Sequence, residues 1–291
     1  PRRPMRDPQL DRRLGQRDRQ DLVPHGRVCR MRIRPLRAED AVEAASVCQA
    51  SAAVVAHLAE HDPAGCWVAD DGTVAGVVLS TRRDLLWCLA ALAVNPLATA
   101  IGPNLLQAAL AYSRGCLRGM GVLTDEPLIP RWVRMAGFTL HPTMRLAGQV
   151  DRSALPIVDS VREATDADRA LVESVDRRVR GAARGPDHGP LMDRASLLVC
   201  DVATGSGYAF HREGTPLAIG ATTREVARRL LWAVLARAAP QRPVEIARLS
   251  AEQDWAVDVG LAAGLGLHVG GYLAFRHMRP PAPYLPAPIL G

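Results

Sequence analysis

A chain that carries the same helix twice, 125 positions apart, is constrained to repeat its fold. Leu105–Ala111 reads LLQAALA and Leu230–Ala236 reads LLWAVLA. Two further matches keep the order at nearly the same offset. Ile33–Arg34 followed by Glu39–Asp40 returns as Val161–Arg162 followed by Asp166 and Asp168, 128 positions later. Ala136–Gly137–Phe138–Thr139–Leu140–His141 returns as Ala263–Gly264–Leu265–Gly266–Leu267–His268, 127 positions later. One match is expected by chance in an Ala- and Leu-rich chain. Three in register indicate a duplicated unit of roughly 130 residues.

The 291 residues hold two such units, each long enough to bury a core. Apolar residues make up 48% and charged residues 23%, which excludes a disordered class. All 36 basic residues are Arg, a pattern of coding bias and not of function. The net charge of +6 is concentrated in residues 1–30, where nine Arg face four Asp. The remaining 27 Arg and 26 acidic residues leave +1, so the folded part has no overall basic field and nucleic acid is not an expected partner. Residues 1–30 read as a disordered Arg-rich leader without a secretory h-region, with Met31 as the natural start. Leu85–Val94 is the longest apolar run, and ten residues do not cross a bilayer. The six Cys form no CxxC pair, so neither a metal site nor a disulfide framework is expected, and a reducing, cytoplasmic setting fits.

The first unit, residues 31–150, reads as a strand at Arg32–Leu36 and helical sequence from Asp40 to Glu60, broken near Ser51. A hairpin follows around Asp70–Asp71–Gly72, then a central strand at Leu85–Val94. Asn95–Gly102 is turn-like. A helix from Pro103, a strand at Gly121–Thr124, a helix from Leu128 and a strand from Phe138 complete it. The second unit, 151–279, repeats this order less clearly, with its hairpin turn at Thr204–Gly207. Residues 280–291 hold five Pro and read as an extended tail.

This order resembles the GNAT superfamily of acyl-CoA N-acyltransferases, twice over. Val94–Asn95–Pro96 resembles the family's Val-x-Pro strand end. Ala100–Ile101–Gly102 sits where its Gly-x-Gly would be, and Ala136–Gly137–Phe138 resembles its late Gly-Phe step. The resemblance implies an α/β fold of two tandem GNAT-like units, each a mixed central sheet flanked by helices. It implies transfer of an acetyl group from acetyl-CoA to an amine of a small molecule or peptide. It would place acetyl-CoA against Ala93, Val94, Ala98, Thr99, Ala100, Ile101, Gly102 and Asn104. Small residues permit close backbone approach to a diphosphate, and the helix start adds partial positive charge.

Two departures stand out. Leu97 occupies the family's Arg/Gln position, and the loop is about two residues short. Val133 stands where the family's Tyr acid is usual, and Leu85–Val94 holds no carboxylate. The general acid and base are therefore not legible. Asp125, Glu126 and Tyr208 are the candidates, each more often a solvated or packed side chain. In the second unit Glu225 falls opposite Ala100 and Ala227 opposite Gly102, unfavourable for a diphosphate. That unit resembles the degenerate C-terminal domain of two-domain bacterial acetyltransferases, which helps form the acceptor pocket. The alternative function is a catalytically inactive GNAT-like ligand-binding or regulatory protein.

Overall fold

A computed structural model describes residues 31–123 and 128–291. The leader at 1–30 and the pair Asp125–Glu126 lie outside the described residues. Residues Arg32–Gly291 form one compact unit.

The first half runs β1 (Arg32–Pro35), α1 (Ala41–Cys48), α2 (Ala52–His61), β2 (Trp67–Asp70), β3 (Val74–Arg83) and β4 (Leu86–Val94). It continues with α3 (Gly102–Tyr112), β5 (Arg118–Leu123), α4 (Leu128–Met135) and β6 (Thr139–Gly148). The second half runs β7 (Val161–Glu163), α5 (Arg169–Val179), α6 (His188–Met192), β8 (Ser196–Val202), β9 (Gly205–Arg212) and β10 (Thr215–Ala221). It ends with α7 (Arg224–Leu235), β11 (Val244–Leu249), α8 (Asp254–Ala262), β12 (Gly266–Arg276) and β13 (Tyr284–Leu285). The order of the first half recurs in the second, as the sequence repeat requires.

The repeat is also atomic. Both halves open with a strand Arg holding an Asp at the start of the following helical segment. Arg34 donates to both oxygens of Asp40 at 2.6 and 2.8 Å, and Arg162 to both oxygens of Asp168 at 2.8 and 2.7 Å. Each Asp also accepts a backbone N–H three residues earlier, from Arg37 and Thr165, each at 2.8 Å. This satisfies a donor that the helix start leaves unpaired. The echoing helices are α3 and α7, and each buries its Leu pair, Leu105–Leu106 and Leu230–Leu231, beneath the sheet.

The halves are not laid side by side as closed sheets. One sheet has the order β1-β2-β3-β4-β5-β12-β6-β11, the other β13-β10-β9-β8-β7. The last long strand of the second half, β12, sits between β5 and β6 of the first. Its Tyr272–Arg276 pair with Gly119–Leu123 on one side and its Gly266–Val269 with Met144–Ala147 on the other. The cores merge as well. Val54, Leu58 and Leu79 of the first half share a cluster with Val172, Val199 and Phe210 of the second. The repeat alone carries no sign of this exchange, because any edge strand of the right pattern can complete the ladder.

Three local expectations change. Asn95–Gly102 is not an open turn: Pro96–Ile101 forms short 3-10 turns on either side of a kink at Ala98, the first started by the Asn95 side chain accepting Leu97 N–H at 3.0 Å. The Asn-Pro pair is itself a helix-start signal. The second hairpin turns earlier than Thr204–Gly207, because Gly205–Gly207 already pair with Cys200–Val202. The Pro-rich tail is extended only at Tyr284–Leu285, where it joins β10, and then turns inward to bury Ala287 and Leu290.

Candidate active site

Strand β4 governs the site. Its pairing with β3 contains a bulge: Leu89 faces Ser80 and Ala91 faces Leu79, leaving Ala90 as the extra residue. Bulges bend a strand and terminate neighbouring pairing. On its other edge β4 runs parallel to β5, but only from Leu86/Arg118 to Leu89/Gly121. Beyond that point the two strands diverge, and among the described residues the backbone of Ala90–Val94 has no strand partner on that side.

The divergence opens a cleft of about 230 Å³. Its walls are Ala90–Ala93 of β4, Val122 and Leu123 of β5, Ile129 of α4, Cys48 and Gln49 at the end of α1, and Pro288–Ile289 of the tail. None of these bears a carboxylate, an imidazole or a phenol. The chemistry available is therefore that of exposed strand amides, a narrow apolar slot, the Cys48 thiol, which burial pushes above its ordinary value, and one carboxamide, Gln49.

The corresponding edge in the second half is closed. There β13 pairs with β10, Leu285 against Ile219 and Tyr284 against Gly220. At the 125-residue offset Ile219 is the counterpart of Val94. The chain's own tail thus occupies the strand edge that the first half leaves free.

Ala93 lies in the cleft wall, while Val94 ends β4 beside it, half-buried. Ala98, Thr99, Ala100 and Ile101 lie along the 3-10 turns, and Gly102 and Asn104 on the first turn of α3. Several of the loop's amides are already engaged: Leu97 N–H by the Asn95 side chain, Ala98 N–H by the Asn95 carbonyl and Gly102 N–H by the Thr99 carbonyl. Gly102 has helical φ and ψ, and a Cβ there would fall 2.1 Å from the Trp132 ring. Its missing side chain makes room for an indole, a packing role that the sequence pattern could not separate from phosphate approach.

Tyr208 is fully buried and away from the cleft. Its hydroxyl donates to Asp176 and accepts from Arg184 Nη2 at 3.1 Å. Burial pushes this phenol far above its ordinary value, with Arg184 opposing and Asp176 adding. Tyr112, on α3, donates to Asp62 at 3.0 Å, and burial and that carboxylate raise it to about 12. Cys88 is buried on β4 beside Arg180, 3.6 Å from Nη2, and burial raises its thiol. The sequence missed Gln49, Val122, Ile129 and Ile289, which reach the cleft only through long-range packing. A strand-end divergence at Ala90 left no readable signal.

Among the described residues no group of three or more His, Cys, Asp or Glu is arranged to hold a metal, and no helix is long and apolar enough to cross a membrane.

No protein-family model and no curated protein sequence matches the chain. Solved structures do. A protein described as a "putative acetyltransferase" from Pyrococcus horikoshii superposes with a TM-score of 0.68 at 16% identity, over 86% of this chain and 90% of that one. A GCN5-related N-acetyltransferase from Sphaerobacter thermophilus gives a TM-score of 0.53 at 16% identity, over 86% and 96%. Another from Kribbella flavida gives 0.53 at 14% identity, over 85% and 72%. The chain shares the α/β fold of these solved structures, as the resemblance read from its sequence implies.

Proposed function

We propose that this chain is an acyl-CoA-dependent N-acyltransferase that moves an acetyl group from acetyl-CoA to an amine in the β4–β5 cleft. One observation carries the reading: among the described residues the fourth strand's edge is open in the first half and filled by β13 in the second. An extended amide-bearing arm, such as the pantetheine of coenzyme A, fits an unpaired strand edge lined by alanines. Ala90, Ala91 and Ala93 keep the slot narrow and unobstructed.

Bound acetyl-CoA supplies the activated thioester. The chain's part is to position and to exclude water. Unpaired β4 amides can donate to a carbonyl oxygen as negative charge develops on it. The apolar walls from Leu92, Leu123 and Ile129 limit water in the slot, and alignment of amine and thioester supplies much of the acceleration. Among the described residues no cleft side chain is placed to take the amine proton, so the amine enters uncharged; the C–N bond forms as the C–S bond breaks, and the amine proton passes through solvent to the departing coenzyme A thiolate.

A second reading is a GNAT-fold protein that binds ligand without catalysis. The absence of an acid or base among the cleft's described walls and the engaged amides of Pro96–Gly102 favour it. Titration calorimetry of acetyl-CoA into the full chain, followed by a thiol-release assay with a primary-amine panel, separates the two. Binding with turnover supports the transferase. Binding without turnover supports the second reading, and no binding at millimolar acetyl-CoA overturns the transferase.

A further inference from the structure

Behind the tail lies a second cavity, larger than the cleft. It has about 430 Å³ and shares Gln49, Pro288 and Ile289 with the cleft, so the two are separated only by the tail's last turn and the end of α1. That wall is strained. Ile289, a β-branched residue, has φ +66, and Leu290 N–H donates back to the Pro288 carbonyl at 2.7 Å. Such a tight turn on a β-branched residue persists only where its surroundings hold it. Here Arg184, itself fully buried, donates to the carbonyls of Leu290 and Gly291 at 3.2 and 2.7 Å.

The cavity's charge is one-sided. Arg194 and Arg212 line it, and no carboxylate does. Among the described residues neither guanidinium has an ion pair or a hydrogen bond. Their sequence neighbours Asp193 and Glu213 do not line the cavity, and Glu213 is engaged by Arg242. Elsewhere Arg34, Arg83, Arg162, Arg184, Arg228 and Arg237 are paired with carboxylates. Two unpaired cations on a concave wall focus positive potential into it. The planar guanidinium fork suits oxyanions. Ser51 and Gln49 add neutral hydrogen-bonding groups on the side facing the cleft.

We infer that this cavity binds an anionic group, a carboxylate or a phosphate, carried by the acceptor, whose amine reaches past Gln49 and Ile289 into the β4–β5 cleft. The acceptor part rests on the acyl-transfer reading above. The substrate class is then a short amine with an oxyanion at its far end, and not a hydrophobic or polycationic amine.

The test uses the full chain and its Arg194→Gln/Arg212→Gln double variant. Both side chains are exposed, so the double variant should fold, and unchanged acetyl-CoA affinity checks it. Inorganic phosphate and propionate are titrated separately by chemical-shift perturbation, which distinguishes the two oxyanion sources. The wild type should bind at least one at millimolar concentration, and the double variant should lose at least about tenfold in affinity, the scale of charge-assisted hydrogen bonds. In acetyl transfer, 4-aminobutyrate or phosphoethanolamine should exceed 4-amino-1-butanol at least about tenfold in kcat/KM, and the double variant should erase that preference. Failure of both anions to bind, or equal binding by the double variant, overturns the inference. If acetyl-CoA itself does not bind, the transfer reading falls, while the anion titrations still decide the cavity.

Discussion

Arg83 on β3 donates to both oxygens of Asp187, which lies 104 residues later in the other half: Nε to Oδ2 at 3.0 Å and Nη2 to Oδ1 at 2.6 Å. The same guanidinium holds Asp62 at 2.9 and 2.8 Å, and His57 completes the shell of Asp187 at 3.0 Å. Both carboxylates are inaccessible to solvent, and Arg83 is nearly so. One cation thus joins two carboxylates from opposite halves inside the merged core.

Removing one member strands the rest without water. Asp187→Ala should destabilise the chain by about 3–5 kcal/mol, the usual cost of breaking a buried ion pair. Arg83→Met should cost at least as much, because two buried carboxylates lose their shared cation, although Asp62 keeps hydrogen bonds from Arg82 N–H and Tyr112. Urea unfolding of both variants checks the pair, and a single cooperative transition is expected throughout because sheet and core are shared.

Gly102 and Trp132 should show coupling of changing sign. In the wild type Gly102→Ala drives a methyl into the indole and should cost about 1–3 kcal/mol, an overpacking penalty. In a Trp132→Leu background the same change should be neutral or stabilising by up to about 1 kcal/mol, since alanine is the better helix former. Melting curves of the four proteins form the cycle. A Gly102→Ala penalty that survives removal of the indole would point back to a ligand-approach role for the glycine.

The acid limb of stability should begin near pH 6.5. Burial holds the His211 imidazole below its ordinary 6.5, with Arg237 adding, and burial does the same for His188, with Arg169 and Arg184 adding. A depressed histidine binds its proton more readily when unfolded, so stability is lost as pH falls below 6.5 and levels off only beneath the folded values. The slope cannot exceed about 1.4 kcal/mol per pH unit for each proton. Asp40 and Asp168 are also depressed, through their arginines, and their loss enters separately below 3.8. Unfolding of His211→Gln at pH 7.5 and 5.5 should show a smaller difference than the wild type.

Filling the cleft should remove cofactor binding without harming the fold. Ala93 is half-buried in the cleft wall. Ala93→Trp should weaken acetyl-CoA at least about tenfold by occupying the slot and leave the melting temperature within a few degrees. Unchanged affinity in calorimetry would place the ligand elsewhere.

The sequence by itself determined what local chemistry and periodicity can encode. Leu105–Leu106 and Leu230–Leu231 announced two helices of one kind, and both pairs are buried after a fourth strand. The Arg34/Asp40 and Arg162/Asp168 spacings announced two equivalent starts, and the same two-pronged bridge forms in each. The continuous apolar run at Leu85–Val94 announced a central strand, which forms at Leu86–Val94. Tertiary structure decided which edges meet. Neither the place of β12 between β5 and β6 nor the pairing of Tyr284–Leu285 with β10 follows from any spacing, because a strand edge accepts any partner that long-range packing delivers. That choice leaves one fourth-strand edge open and the other closed. Two halves alike in sequence pattern therefore differ in the one feature that makes a binding cleft.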